Sequence, residues 1–139
     1  MARLRAFRVL DPACGSGNFL YLALVELKNV ERRVAIKGEL IGFPPSFPSI
    51  GPEALRGIEI NSYAAELARV SVWIGEIQWM RRTGFDIGRQ PILKPLTIIE
   101  RRNAIINDDG SAAAWPKSDV IIAPSWAIGP RARPCRRAA

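Results

Sequence analysis

The residues best suited to chemistry lie in one short segment, Asp11-Pro12-Ala13-Cys14-Gly15-Ser16-Gly17. The segment follows a short apolar run and precedes a stretch of helical periodicity, so it is expected to connect a strand to a helix. Glycines in such a connection adopt backbone conformations closed to other residues and let the main chain approach a ligand closely. The amino end of the helix then offers free N–H groups to a negative or polar ligand. This segment, the glycine loop, therefore predicts a small-molecule site.

The glycine loop differs from the two common nucleotide-binding patterns. A dinucleotide-binding loop would carry a third glycine where this chain has Leu20. A phosphate-binding loop would end in Lys followed by Ser or Thr, and no such pair follows Gly17. The alternative to a ligand site is a purely structural glycine turn.

Glu59 is the second candidate, at the end of a predicted strand. An acidic side chain in that position can accept hydrogen bonds from both hydroxyls of a ribose, and Ile60 could then lie on the face of an adenine. The interval from Gly17 to Glu59 is longer than the usual spacing of about twenty residues. The Pro/Gly-rich segment 37–53 accounts for the excess. A solvated surface acid is the alternative, but the glycine loop favours ribose binding.

The composition excludes several kinds of catalysis. The 139 residues contain no histidine, so histidine-based acid–base chemistry is excluded. The two cysteines lie far apart, at Cys14 and Cys135, so we expect neither a disulfide framework nor a zinc or iron site. Any chemistry must rely on positioning and hydrogen bonding.

The chain is expected to fold as an α/β domain, because short apolar runs alternate with longer helical periodicity. Ser16 or Asn18 is the expected N-cap of the first long helix. The predicted strands are Phe7–Leu10, Leu55–Ile60, Leu96–Ile99 and Asp119–Ile122, and the predicted helices run from Phe19 to about Arg33 and from Ser62 to about Thr83. This order predicts a parallel sheet, the first half of a doubly wound domain.

Bulk properties agree with a globular protein. The hydrophobic content of 48% and the charged content of 24% are ordinary, and no apolar run approaches the roughly 18 residues of a membrane span. No signal core follows the basic start, so a cytoplasmic location without membrane contact is expected. Four of the seven net positive charges fall in the last nine residues, so the charge alone is a weak argument for nucleic-acid binding.

The run from Asp11 to Leu20, DPACGSGNFL, resembles the first motif of adenine-specific DNA methyltransferases, especially the large restriction-modification enzymes that fuse a nuclease to a methylase. The helix beginning at Tyr63 and the run from Trp115 to Ile122 resemble the same family. The resemblance implies a Rossmann-like domain that binds S-adenosyl-L-methionine, with DNA as partner. It also places Asp11 beside the methionine part of the cofactor.

In this family a small polar residue after the third strand binds the amino group of the cofactor's adenine. The resemblance places the side-chain oxygen of Asn103 there, with Asp108 or Asp109 as alternatives and a solvated turn as the non-functional reading. The expected cofactor-binding residues are Asp11, Ala13, Gly15, Gly17, Asn18, Glu59, Ile60 and Asn103.

The family's catalytic motif, Asn-Pro-Pro followed by an aromatic residue, is expected at the end of the fourth strand. The sequence there is Ala123-Pro124-Ser125-Trp126. In the family, the Asn side chain and the adjacent Pro carbonyl accept the hydrogens of the target amine, and the aromatic ring stacks on a flipped base. Neither Ala123 nor Pro124 has a side chain that accepts hydrogen bonds. No catalytic residue is therefore assigned, and the chain is expected to be inactive alone.

The expected organisation is a partial methyltransferase domain, 1–123, with an insertion at 37–53 and a disordered basic tail at 124–139. Codons for the run beginning at Ser125, read one nucleotide earlier, can encode Phe-Leu-Gly, which follows Asn-Pro-Pro in related enzymes. The hypothesis is that a small deletion removed the Asn-Pro core and shifted the frame. The remaining strands, the target-recognition domain and any nuclease domain are expected to be missing.

Two other classes of function stay open on the sequence. One is a methyltransferase of protein amides or RNA, because Asn-Pro-Pro motifs serve those substrates as well. The other is a non-catalytic product, either a cofactor-binding module or a decayed gene product. The motif that distinguishes these substrates is the altered one, so only the family-like helix and the run before Ala123 favour DNA.

Overall fold

A four-stranded parallel sheet forms the centre of the computed structural model, which describes residues 2–85 and 97–123. The strands are β1 (Val9–Asp11), β2 (Leu55–Glu59), β3 (Ile99–Arg101) and β4 (Val120–Ile121), and their order in the sheet is β3-β2-β1-β4. Every neighbouring pair is parallel, which confirms the expected α/β class.

One short helix precedes β1, and longer helices connect β1 to β2 and β2 to β3. They are α1 (Ala2–Arg5), α2 (Asn18–Leu40), α3 (Ser62–Arg82) and a single 3-10 turn, Pro52–Ala54. The core forms where α2 and α3 pack together against the sheet. Its buried members are Val9, Cys14, Leu20, Leu24, Leu55, Ala65, Ala68, Val72, Ile98 and Ile99.

The packing is tight at Gly57 in β2. A Cβ atom there would lie 2.7 Å from Ile99 Cδ1 and 3.0 Å from both Cys14 Sγ and Leu20 Cδ1. A larger residue would push the glycine loop and α2 away from the sheet. Gly57 therefore lets α2 pack closely on β2.

The first long helix differs from its prediction at both ends. Neither Ser16 nor Asn18 caps it: the N-cap is Gly17, in the left-handed region with φ +82° and without a side-chain cap. The helix also continues to Leu40, past the predicted end near Arg33. The Pro/Gly-rich segment 37–53 therefore begins inside the last turn of α2.

Buried polar contacts attach the Pro/Gly-rich segment to the helices. Lys28 is only 2% exposed, and its Nζ donates to Ile50 O and Glu76 Oε1, both at 2.8 Å. Glu31, equally buried, accepts hydrogen bonds from the main-chain N–H groups of Ser49 and Ile50. These contacts hold the chain leading into β2 against α2 and α3.

The second long helix agrees with its prediction. It begins at Ser62 and ends at Arg82. Asn61 caps it, with Oδ1 accepting from Tyr63 N at 2.9 Å and Ala64 N at 3.2 Å. Trp79 is buried and Trp73 is half-buried.

Two predicted strands are displaced. β1 is Val9–Asp11 instead of Phe7–Leu10, and β3 is Ile99–Arg101 instead of Leu96–Ile99. β2 pairs with β3 from Gly57 opposite Ile99 onward, so the position of β3 is set by its pairing with β2 and not by the apolar residues of its own sequence. Leu96 lies outside the described residues.

The fourth strand lies where it was predicted, at one edge of the sheet. Ala123, the last described residue, follows it, whereas Pro124, Ser125, Trp126 and the rest of the tail lie outside the described residues. Within 2–85 and 97–123, no helix has the length and apolarity needed to cross a membrane.

Candidate cofactor-binding cleft

A cleft of about 460 Å³ opens where β1, β2 and β3 end. Ligands bind at the carboxyl ends of parallel strands because loops and helix amino termini converge there. The lining comes from the glycine loop, the end of β2 and the segment 102–115, which is the loop after β3. The lining residues are Pro12, Ala13, Gly15, Ile58, Glu59, Ile60, Arg102, Asn103, Ala104, Ile105 and Trp115.

Glu59 connects two walls of the cleft. Its Oε2 accepts a hydrogen bond from Gly15 N at 2.9 Å, and its Oε1 accepts one from Asn61 N at 2.8 Å. A carboxylate has about four lone-pair sites, so each oxygen can accept one more hydrogen bond. The cleft thus holds two oriented acceptors on one side chain.

Asp11, the first residue of the glycine loop, is fully buried and does not line the cleft. Its Oδ1 accepts from Ala13 N at 3.1 Å, and its buried Oδ2 has no partner among the described residues. Burial, reinforced by the nearby charge of Glu59, raises the pKa of the Asp11 carboxyl, although the bond from Ala13 opposes this. Asp11 therefore stabilises the glycine loop through its hydrogen bond with Ala13 N.

The two glycines of the loop have different positions. Gly15, with φ +52°, lines the cleft and donates to Glu59, whereas Gly17 contacts α3. A Cβ on Gly17 would lie 2.9 Å from Ala68 Cα. Asn18 begins α2 on the exposed surface, away from the cleft lining.

Cys14 is the only thiol among the described residues, and it is buried. Burial, together with the charges of Asp11 and Glu59, raises the pKa of this thiol to about 12. The thiol is therefore protonated at neutral pH and unsuited to act as a nucleophile.

Asn103 lines the cleft, but its side-chain oxygen is already engaged. Oδ1 accepts from Ile105 N at 2.8 Å and Ile106 N at 3.3 Å. Two main-chain donors occupy its two lone pairs, so the amide Nδ2 is the polar group of Asn103 without a partner in the described structure. Asn103 therefore presents a donor, although the resemblance implied an acceptor.

The alternatives to Asn103 lie farther along segment 102–115. Asp109 Oδ1 accepts hydrogen bonds from the hydroxyl of Ser111 at 2.5 Å and from its main-chain N at 2.9 Å, and these two bonds lower the pKa of Asp109. Neither Asp108 nor Asp109 lines the cleft. Both residues lie in the turn before Ala112.

Five of the eight residues expected to bind a cofactor line the cleft, together with others that were not expected. Ala13, Gly15, Glu59, Ile60 and Asn103 line it, whereas Asp11, Gly17 and Asn18 do not. The unexpected lining residues include Arg102, Ile105 and Trp115. Their sole sequence signal was the family-like run that begins at Trp115, and spacing alone does not bring it to the cleft.

Comparison with known proteins identifies the family. A model of the MmeI DNA-methyltransferase domain matches residues 1–123. The chain belongs to this MmeI family. The match confirms the restriction-modification methyltransferase class that the glycine loop indicated.

Two curated relatives support the MmeI-family assignment. DNA methyltransferase A of Bacillus subtilis is 38% identical over 79 residues, which are 56% of this chain and 9% of the relative. A putative type II restriction enzyme and methyltransferase of Methanocaldococcus jannaschii is 34% identical over 84 residues, which are 54% of this chain and 7% of the relative. The MmeI-family chain thus spans less than a tenth of either relative.

A solved structure extends the likeness to three dimensions. It is the Type IIL restriction-modification enzyme MmeI in complex with DNA. The TM-score is 0.58 at 28% sequence identity, over 73% of this chain and 15% of that chain. The parallel sheet and its helices therefore match part of the MmeI methyltransferase.

Proposed function

We propose that the cleft binds S-adenosyl-L-methionine and that the chain is the cofactor-binding part of a site-specific DNA adenine methyltransferase. The observation that carries this proposal is the orientation of Glu59. Its carboxylate is held by Gly15 N and Asn61 N, and it keeps acceptor capacity beside the cleft. Two neighbouring ribose hydroxyls are donors that suit those acceptors.

The other lining residues also suit this cofactor. Ile60 is 68% exposed next to Glu59, and the exposed side chain of Ile105 adds apolar surface for a flat base. The free Nδ2 of Asn103 is a donor for a ring nitrogen of adenine. Asn103 then contributes through its nitrogen rather than through the oxygen that the resemblance assigned.

S-adenosylmethionine supplies a methyl group on a positively charged sulfur, which is open to attack by a nucleophilic amine. The residues of this chain bind and orient the cofactor. Glu59 would hold the ribose, and Asp11 would fix the loop through Ala13 N. Gly17 and Asn18 would act indirectly, by seating the loop on α3 and starting α2.

DNA is the proposed target because the family and its named relatives concern DNA. Adenine is the proposed base because the glycine loop resembles that of adenine-specific enzymes. The chain alone is proposed not to methylate, since Ala123-Pro124-Ser125-Trp126 offers no Asn side chain to accept the hydrogens of the target amine. We propose a frameshift as the explanation for this difference, and sequencing the gene from the codon for Ala123 onward tests it. Those nucleotides should continue a methyltransferase in another frame.

The binding proposal is tested by isothermal titration of the full chain with S-adenosylmethionine. We expect binding by the unsubstituted chain and at least a thirty-fold loss for Glu59→Ala, since charge-assisted hydrogen bonds contribute about 1.5–3 kcal/mol each. Glu39→Ala is the matched control, because Glu39 is exposed near the far end of α2. Absence of binding by the unsubstituted chain contradicts the proposal and favours a decayed product.

The substrate and the loss of activity need a separate assay. Transfer of a labelled methyl group is measured to duplex DNA, RNA and protein, each mixed with the full chain. We expect no transfer above background to any of them. Labelling of DNA contradicts the proposed inactivity, and labelling of RNA or protein contradicts the DNA assignment.

A further inference from the structure

Segment 102–115 is closed by two side chains near its ends. Arg102 Nη2 donates to Ala114 O at 2.8 Å, and Trp115 Nε1 donates to Ala104 O at 2.5 Å. Each contact joins a side chain at one end to the main chain at the other. Arg102 is fixed in turn by Glu100, whose Oε2 lies 2.7 Å from Arg102 Nε. The loop after β3 is therefore braced from both ends.

We infer that Trp115 is a cofactor-positioning residue whose indole ring forms a wall for the adenine of S-adenosylmethionine. This inference rests on the proposed function. Trp115 lines the cleft together with Ile60 and Ile105, and it is 44% exposed. Its one polar group is already bonded to Ala104 O, so the ring offers the cleft an apolar π surface. Flat bases stack on such surfaces irrespective of hydrogen-bond pattern.

The hydrogen bond from Trp115 Nε1 to Ala104 O fixes the position of the indole ring. The bond to Ala104 O fixes the indole before any ligand arrives, so less side-chain entropy is lost on binding. Because Ala104 follows Asn103 directly, the same contact fixes the neighbour of the proposed adenine donor. Trp115 thus links the apolar wall of the cleft to the segment that carries Asn103, the proposed donor to adenine.

The other tryptophans have different surroundings. Trp79 is 4% exposed, stacks on Phe85 and donates to Asn29 Oδ1. Trp73 lies on α3 and does not line the cleft. Trp126 lies outside the described residues. Among the described tryptophans, the proposed contact is therefore specific to Trp115.

Paired substitutions separate stacking from loop bracing. Trp115→Phe removes the bond to Ala104 O but keeps an aromatic ring, whereas Trp115→Ala removes both. We expect Trp115→Ala to bind S-adenosylmethionine about ten-fold more weakly, equivalent to about 1.4 kcal/mol, and Trp115→Phe to stay within about three-fold of the unsubstituted chain. Trp73→Phe is the matched control and should bind with unchanged affinity. Circular dichroism checks that each variant is folded.

Fluorescence gives a second readout that does not depend on the folding of Trp115→Ala. Adenosine, which lacks the methionine part, is titrated into the Trp73→Phe chain and into Trp73→Phe with Trp115→Phe. Stacking should quench the indole emission in the first chain and leave the second unchanged. Equal quenching in both chains, or equal affinity of a folded Trp115→Ala variant, overturns the inference while leaving the proposed function standing. If the unsubstituted chain fails to bind S-adenosylmethionine, both fail together.

Discussion

Glu59 Oε2 lies 2.9 Å from Gly15 N, so one hydrogen bond joins the carboxyl end of β2 to the glycine loop of β1. The two residues are 44 positions apart, and the parallel pairing of Asp11 with Gly57 brings their strands side by side. The acid consequently has a structural function before any ligand binds. Its second oxygen, bonded to Asn61 N, extends the connection to the start of α3.

Gly17→Ala is expected to destabilise the fold by about 2–5 kcal/mol, as the sum of left-handed strain and overpacking. The strain arises at φ +82°, and the clash arises because the new Cβ would lie 2.9 Å from Ala68 Cα. Urea unfolding followed by circular dichroism measures the change. The affinity for S-adenosylmethionine should fall as well, because the loop can no longer seat on α3.

Gly42→Ala is the control for Gly17→Ala. Gly42 also has a positive φ, +91°, but a Cβ there would meet open space. It should therefore show the strain alone, about 1–3 kcal/mol. Equal losses for the two variants would mean that the contact between Gly17 and Ala68 contributes nothing.

Lys28→Met is expected to destabilise the chain by about 3–5 kcal/mol, because it leaves Glu76 partly buried without its cation. The two charges lie 2.8 Å apart, and the Lys28 ammonium also lies 4.7 Å from the centroid of the Trp79 ring. Burial raises the pKa of Glu76 although the contact with Lys28 opposes this. Urea unfolding at pH 7 gives the free-energy difference.

A double-mutant cycle tests the same pair. Combining Lys28→Met with Glu76→Met should recover at least half of the loss, since no uncompensated charge then stays buried. Glu66→Ala, in the exposed pair with Arg69, serves as the control and should cost no more than about 1 kcal/mol. Additive losses for Lys28→Met and Glu76→Met would contradict the pairing.

The fold could be predicted where local patterns decide it. Apolar periodicity was sufficient to predict α3 from Ser62 to about Thr83, close to its observed bounds. The end of α2 was misplaced because the density of Pro and Gly in segment 37–53 indicated a loop, whereas the helix continues through Lys37 and Gly38 to Leu40. β3 was displaced because its pairing with β2 selects Ile99–Arg101, which includes two charged residues that an apolar pattern excludes.

The residues of the cleft were also predictable only where short sequence segments determine them. Gly15 and Glu59 were predictable because loop chemistry and strand ends are properties of short segments. Trp115 was not, because it reaches the cleft only after segment 102–115 turns back at the bridge between Ile106 and Ala112. The role of the Asn103 oxygen was also hidden, since main-chain donors two and three residues later compete for it.

Asp11→Asn is expected to reduce the loss in the free energy of unfolding that occurs as the pH rises above 3.8. Burial raises the pKa of Asp11 in the folded chain from its ordinary value of 3.8, so the folded state holds the proton more tightly than the unfolded state. The stability that this proton contributes is full below pH 3.8 and is lost as the pH rises through the folded pKa. Asn cannot titrate and removes this loss, while its side-chain oxygen still accepts from Ala13 N.

Urea unfolding at intervals from pH 3.5 to about pH 7.5 measures this effect, over the range in which buried carboxyls titrate. The difference between the two profiles isolates Asp11 from Glu76, whose pKa burial also raises. Asp108→Asn, at an exposed position, should reproduce the unsubstituted profile. Parallel profiles for Asp11→Asn and the unsubstituted chain would show that the native carboxyl titrates normally.

Cys14 is expected to resist alkylation in the folded chain, because its thiol is buried and its pKa is raised to about 12. Its thiolate fraction near pH 8 is then lower by roughly a factor of a thousand than that of a free cysteine. Iodoacetamide labelling of a Cys135→Ser chain, followed by mass spectrometry, reports Cys14 alone. The rate should be at least about a hundred-fold higher in denaturing urea than in buffer. Similar rates in both conditions would show that the glycine loop opens in solution and that the cleft beside it is not preformed.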